Sequence, residues 1–103
     1  MAGKRALIID AKDTVATALE DIGPGDKVDA MLGKKATTLE AKEKIPFGFK
    51  IALTDTAKGD AVMKYGEAIG KASQPIRKGQ LVHIHNLEGA RGRGDLTREV
   101  KKK

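Results

Sequence analysis

Short apolar runs interrupted by glycine set the rhythm of the chain. Four segments share one pattern, in which an apolar or β-branched residue is followed by glycine three positions later and an aliphatic residue three after that. They are "IGPGDKV" (Ile22, Gly25, Val28), "IPFGFKI" (Ile45, Gly48, Ile51), "TAKGDAV" (Thr56, Gly59, Val62) and "IRKGQLV" (Ile76, Gly79, Val82). The first two also carry Pro24 and Pro46 ahead of the glycine. Each predicts a tight turn in which glycine supplies a positive φ, followed by entry into a strand. The spacing is not the fixed period of a solenoid, so the turn is a recurring device within one fold.

Between the turns lie runs of β character at 5–10 (RALIID), 27–32 (KVDAML), 36–41 (ATTLEA), 49–53 (FKIAL), 61–66 (AVMKYG) and 80–85 (QLVHIH). Their alternation is imperfect, and "ALII" has the continuous apolar character of a strand buried on both faces. One stretch, "DTVATALEDI", predicts a helix, with Asp13 as N-cap, Val15, Leu19 and Ile22 on one face, and Gly23 as the stop. The expected architecture is a single mostly-β domain over residues 1–90, built of short strands with one or two short helices. A basic tail over 91–103, where apolar residues thin out, is expected to be loosely ordered unless a partner holds it.

Composition narrows the chemistry. At 103 residues there is room for one core and not two. Cysteine is absent, which excludes disulfides, thiolate catalysis and zinc–thiolate centres in this sequence. No apolar run approaches the roughly 20 residues that a membrane-crossing helix needs. The N-terminus "MAGKRALIIDAKD" starts basic, but its apolar run "ALII" is far shorter than a signal-peptide core, so a cytoplasmic protein is expected. The formal net charge of +6 raises nucleic acid as a partner. Three of those charges are the terminal Lys101–Lys103, the rest alternate with acids, and aromatic residues for base stacking are limited to Phe47, Phe49 and Tyr65. Nucleic acid is therefore not the expected partner.

Candidate chemistry concentrates in "QLVHIHNLEGARGRGD". In an extended strand, Val82 and Ile84 would face the core while His83 and His85 project together from the opposite face, about 6.5–7 Å apart at Cα. That spacing suits two nitrogens on one metal, or an acid/base pair. Asn86 follows where it could orient an imidazole or meet a substrate oxygen. Arg91 and Arg93 offer planar forks for a carboxylate within a glycine-rich segment. Lys50, Lys64 and Tyr65 stand close to the glycine turns. Two histidines do not complete a metal site, and a second chain is the natural source of the missing ligands.

The residues Asp13 to Asp21, Ile45 to Gly48, Lys50 to Leu53, Lys64-Tyr65-Gly66, Ile69-Gly70, Gly79 and His83-x-His85-Asn86 resemble, in this order, the small SAF-type domain of the altronate and galactarate dehydratase family. The resemblance implies a β-clip fold. It further implies a small subunit, or N-terminal domain, of a sugar-acid dehydratase that removes water to give a 2-keto-3-deoxy acid. The expected partners are a large dehydratase subunit and a sugar-acid substrate, with room for a homo-oligomer. A divalent metal, Fe²⁺ in the family, would be held mainly by the large subunit. His83 and His85 would act as base, acid or metal ligands, with Asn86, Arg91, Arg93 and Lys50 toward substrate. A sister branch, the sulfolactate sulfo-lyases, uses a comparable small subunit, and a non-catalytic carbohydrate-binding or assembly module is the third expectation. Relatives commonly have histidine where this chain has Phe49.

Overall fold

The structure, a computed structural model, describes residues 3–89. It is built of strands: β1 (Lys4–Leu7), β2 (Val15–Ala18), β3 (Lys27–Leu32), β4 (Lys35–Glu40), β5 (Lys50–Ala52), β6 (Ala61–Lys64), β7 (Glu67–Ala72), β8 (Leu81–Val82) and β9 (Leu87–Gly89). Six of them form a sheet in the order β4-β3-β1-β2-β5-β8, and the remaining three form a second sheet in the order β6-β7-β9. β1 and β3 run parallel, and the other pairs are antiparallel. The mostly-β expectation holds. The expected tail over 91–103 lies outside the described residues.

The four glycine motifs are one turn used four times. Gly25, Gly48, Gly59 and Gly79 have φ of +85°, +87°, +91° and +91°, the value at the third position of a type II turn. Each turn closes with an i→i+3 bond: Asp26 N–H to Gly23, Phe49 to Pro46, Asp60 to Ala57 and Gln80 to Arg77, all near 3.0–3.1 Å. Each glycine N–H then donates to the carbonyl of an alanine at or just past a strand end, respectively Ala41, Ala18, Ala72 and Ala52. The turns work in pairs. Ile22 and Ile45 exchange both backbone hydrogen bonds at 2.9 Å, and Thr56 and Ile76 do the same at 2.8 Å. Asp21 accepts from Phe47 N–H across the first pair, and Asp55 accepts from Lys78 N–H across the second.

This pairing exposes an internal repeat that the spacing of the motifs hides. Leu19, Asp21, Ile22, Gly25, Asp26 and Val28 recur as Leu53, Asp55, Thr56, Gly59, Asp60 and Val62. The β3–β4 hairpin of the first unit corresponds to the shorter β6–β7 hairpin of the second. β5 closes one unit and opens the next, which ties the two sheets together. Two buried clusters follow: one of Ala6, Ile8, Ala16, Ala18, Ile22, Val28, Ala30, Leu39, Ala41, Ile45 and Ile51, and one of Val15, Ala52, Val62, Ala72, Ile76 and Val82.

The helix expected over 13–22 is not present; among the described residues there is none. Val15–Ala18 is instead the strand between β1 and β5, with Val15 in one cluster and Ala16 and Ala18 in the other. Burial on both faces erases the one-sided pattern of a surface helix. Asp13 caps no helix. Its carboxylate accepts from Ile9, Asp10 and Gly66 N–H and docks the β1–β2 loop on the β6–β7 turn. The "ALII" run is buried on one face only, with Ala6 and Ile8 inside and Leu7 and Ile9 exposed. β7 is a full strand. It tolerates Gly70 because the Glu88 carbonyl of β9 comes so near that a side chain would collide with it. Glu20, at the far end of β2, has its carboxyl held below the ordinary range by accepting the Arg5 backbone N–H, and its side chain bonds the Arg5 guanidinium as well.

The turn geometry predicts a graded cost. A Cβ at Gly59 meets nothing within 4 Å, whereas at Gly79 it would strike the Glu40 carbonyl. Gly59→Ala is expected to lose about 1–2 kcal/mol from the left-handed backbone alone. Gly79→Ala should lose a further 1–3 kcal/mol or so through steric crowding. Urea unfolding of both variants measures the difference.

Candidate functional site

Past β8 the chain leaves the sheet. Residues 83–86 form a turn in which the His83 carbonyl accepts from both Asn86 N–H (3.1 Å) and Leu87 N–H (2.9 Å). Asn86 is 3% exposed and its side-chain amide is used twice. Oδ1 accepts from His83 N–H at 2.9 Å, and Nδ2 donates to the Leu81 carbonyl at 2.8 Å. An asparagine that offers the backbone such local partners competes directly with a strand ladder. The extended alternation expected for 80–85 therefore fails after Val82, and Ile84, expected in the core, is 84% exposed.

The turn separates the two imidazoles. His83 is half-buried, its ring tilted 59° against Phe49 with centroids 4.8 Å apart. His85 is exposed and lines a cleft of about 220 Å³ with Glu43, Gln74, Pro75, Gln80 and Asn86. Gln74 fixes the rim by donating to the His85 carbonyl at 2.9 Å. Glu43 joins from the β4–β5 connection, where Oε2 accepts from Leu81 N–H at 2.9 Å. The His85 imidazole, the Glu43 carboxylate and the Gln74 and Gln80 amides around one small polar cleft can exchange a proton and hold hydroxyl groups, with Asn86 committed to the backbone beneath.

The other expected site residues fall differently. Phe49 and Ile51 pack in the first cluster and Ala52 in the second, so Lys50 projects from the face of β5 opposite Phe49 and His83. Arg91 and Arg93 lie outside the described residues. Among the described residues no group of three or more His, Asp or Glu comes together to hold a metal ion, so they do not make a metal centre by themselves. Glu43 and Gln74 were not foreseen, since neither stands in a motif. Phe49, which stands where relatives commonly have histidine, lies against His83.

A family model described as the altronate/galactarate dehydratase SAF domain matches residues 4–90, which takes in every strand and the histidine turn. This chain belongs to that family. It is 39% identical over 85 residues to altronate dehydratase of Bacillus subtilis, covering 82% of this chain and 16% of that protein. It is 42% identical over 78 residues to altronate dehydratase of Escherichia coli, covering 76% of this chain and 15% of that protein. It is also 35% identical over 88 residues to (2R)-sulfolactate sulfo-lyase subunit alpha of Chromohalobacter salexigens, covering 82% of this chain and 94% of that subunit. The chain thus spans about a sixth of the dehydratases it matches and nearly all of the sulfo-lyase subunit.

Replacing Asn86 tests the turn. Asn86→Ala leaves the partly buried His83 N–H and Leu81 carbonyl without their partner and should cost about 1–3 kcal/mol. Ile84→Ser, two residues away and exposed, should stay within about 0.5 kcal/mol of the parent. Chemical denaturation of the two variants checks both values.

Proposed function

We propose that this chain is the small, non-autonomous subunit of a sugar-acid hydro-lyase of the altronate/galactarate type, working in the cytoplasm with a separate large catalytic chain. The observation that carries the reading is an imidazole-bearing turn, held by a buried asparagine, in a domain that makes up about a sixth of each of two altronate dehydratases. Dehydration next to a carboxylate removes the α-proton to a base and expels the β-hydroxyl as water; the resulting enol tautomerises to the 2-keto-3-deoxy acid. A base working near neutral pH suits the proton step, and histidine is the side chain whose ordinary range lies there.

His85 is the candidate proton carrier, exposed beside Glu43 and the amides of the cleft. His83, packed on Phe49 outside that cleft, is proposed as the second imidazole, serving as base, acid or metal ligand where the large chain meets the turn. Asn86 acts by holding both in one turn. Arg91 and Arg93 are proposed as cationic contacts for the sugar-acid carboxylate. The divalent metal of the reaction, Fe²⁺ in this reading, is assigned mainly to the large chain.

A second reading has its own support. The match to 94% of a sulfo-lyase subunit alpha fits a free-standing small subunit in size, and the reaction would then eliminate sulfite rather than water. Both readings require a large partner chain.

The test is reconstitution with the large lyase chain of the source organism, scoring keto-acid formation from altronate and galactarate and sulfite release from sulfolactate. The first reading predicts keto acid from a sugar acid only in the mixture. Substitution of both His83 and His85 by alanine should lower turnover of the assembled enzyme by about 10²–10⁴-fold. Full turnover by that double variant in an intact complex would overturn the proposed roles, and sulfite release alone would favour the second reading.

A further inference from the structure

The two units of the repeat treat one strand edge differently. Ala41, just past β4, accepts from Gly25 N–H and donates to the Asp26 carbonyl. Its counterpart Ala72, at the end of β7, accepts from Gly59 N–H and donates to the Asp60 carbonyl. The next residue of each unit points its N–H the other way, Lys42 to the Gly79 carbonyl at 2.8 Å and Ser73 to the Asn86 carbonyl at 3.0 Å. Past Asn86 the chain continues as β9, antiparallel along the outer edge of β7, with Glu88 opposite Lys71 and Oε1 4.0 Å from Nζ. Past Gly79 it turns away to β8, beside β5. Among the described residues no strand pairs with the outer edge of β4.

Backbone alternation fixes which groups are left over. Ala41 faces β3, so Leu39, Thr37 and Lys35 do too, and Ala36, Thr38 and Glu40 direct their N–H and C=O groups outward. Gly79 packs so close to the Glu40 carbonyl that a side chain there would collide with it, which closes that end. The open stretch centres on Ala36, Thr37 and Thr38, all exposed. It carries none of the devices that guard an edge: its register with β3 is unbroken, it holds no proline, and these three residues are uncharged.

We propose that this edge pairs with the same edge of a second copy, antiparallel about a two-fold axis at Thr37. In an antiparallel ladder, outward-facing residues must meet outward-facing residues. The axis at Thr37 meets this condition by setting Ala36 opposite Thr38 of the second copy, and the reverse, for four backbone hydrogen bonds. It also sets Lys34 opposite Glu40 of the second copy at both ends, and the two Thr37 side chains opposite each other, pairings that stabilise a sheet. Moving the axis by one residue either way loses the Lys34–Glu40 pairs, and an axis at Thr38 opposes Lys34 with Lys42. Of the other charges nearby, Lys35 meets Leu39 of the second copy, and Lys27 and Asp29 of β3 carry one of each sign. The arrangement is strand addition through an isologous interface. It goes beyond the lyase reading and does not depend on it.

Analytical ultracentrifugation of the full chain, from micromolar to millimolar concentration, is expected to show a monomer–dimer equilibrium. Thr38→Pro removes an outward N–H and no bond to β3, so the variant should stay folded while the dimer weakens about tenfold or more. Glu40→Lys should weaken it in the same direction, and Glu40→Lys combined with Lys34→Glu should restore it. The chain has no cysteine, so Thr37→Cys supplies a single cross-linking probe at the axis. A mild oxidant should join that variant into a covalent dimer about tenfold or more faster than Thr54→Cys, placed at another exposed threonine. A parent chain that stays monomeric at millimolar concentration overturns the proposal. So does a dimer that Thr38→Pro leaves at full strength, or oxidation that joins both cysteine variants at one rate. The lyase reading stands under each of these results.

Discussion

Everything in this molecule depends on four peptide units that only glycine adopts without strain. In each, a left-handed glycine reverses the chain and turns its N–H onto an alanine carbonyl of another segment. Two such turns lock together through reciprocal backbone bonds, Ile22 with Ile45 and Thr56 with Ile76. Strands of only two to six residues have little stability alone. The paired turns fix their ends, so that small side chains such as Ala6, Ala16, Ala18 and Ala30 can fill a core in which aromatic residues have almost no part.

The same construction sets where chemistry can occur. β8 consists of Leu81 and Val82 only, held on one side by β5 and released at once into the Asn86 turn. Glu43 enters the neighbouring cleft because the first turn pair carries the β4–β5 connection beside β8, where it accepts the Leu81 N–H. What results is a shallow polar cleft with one exposed imidazole, beside an imidazole already in contact with a phenyl ring. As a site it is partial, which is in keeping with a domain that forms about a sixth of the dehydratases it matches.

The glycine turns were legible because φ preference is written in the residue itself, and so were most strands, whose apolar and β-branched runs lie between those turns. The strand at Val15–Ala18 was misread as a helix because a strand buried on both faces has no alternation to display. Nor could alternation locate His83 and His85, since the buried Asn86 amide ends the strand through bonds that the pattern of apolar residues does not record. The internal repeat was obscured by a hairpin that is shorter in the second unit and by Thr56 standing where the first unit has Ile22. Lys50 was grouped with the histidines by chemistry, and strand geometry sets it on the other face.

The central claim is that the His83–Asn86 turn completes a site whose other half belongs to a larger chain. An experimental structure of the assembled enzyme with a substrate analogue tests it most directly. The account predicts that the turn lies against the large chain, with His85 lining the substrate cleft. A complex in which the turn faces open solvent, remote from the bound analogue, would contradict it.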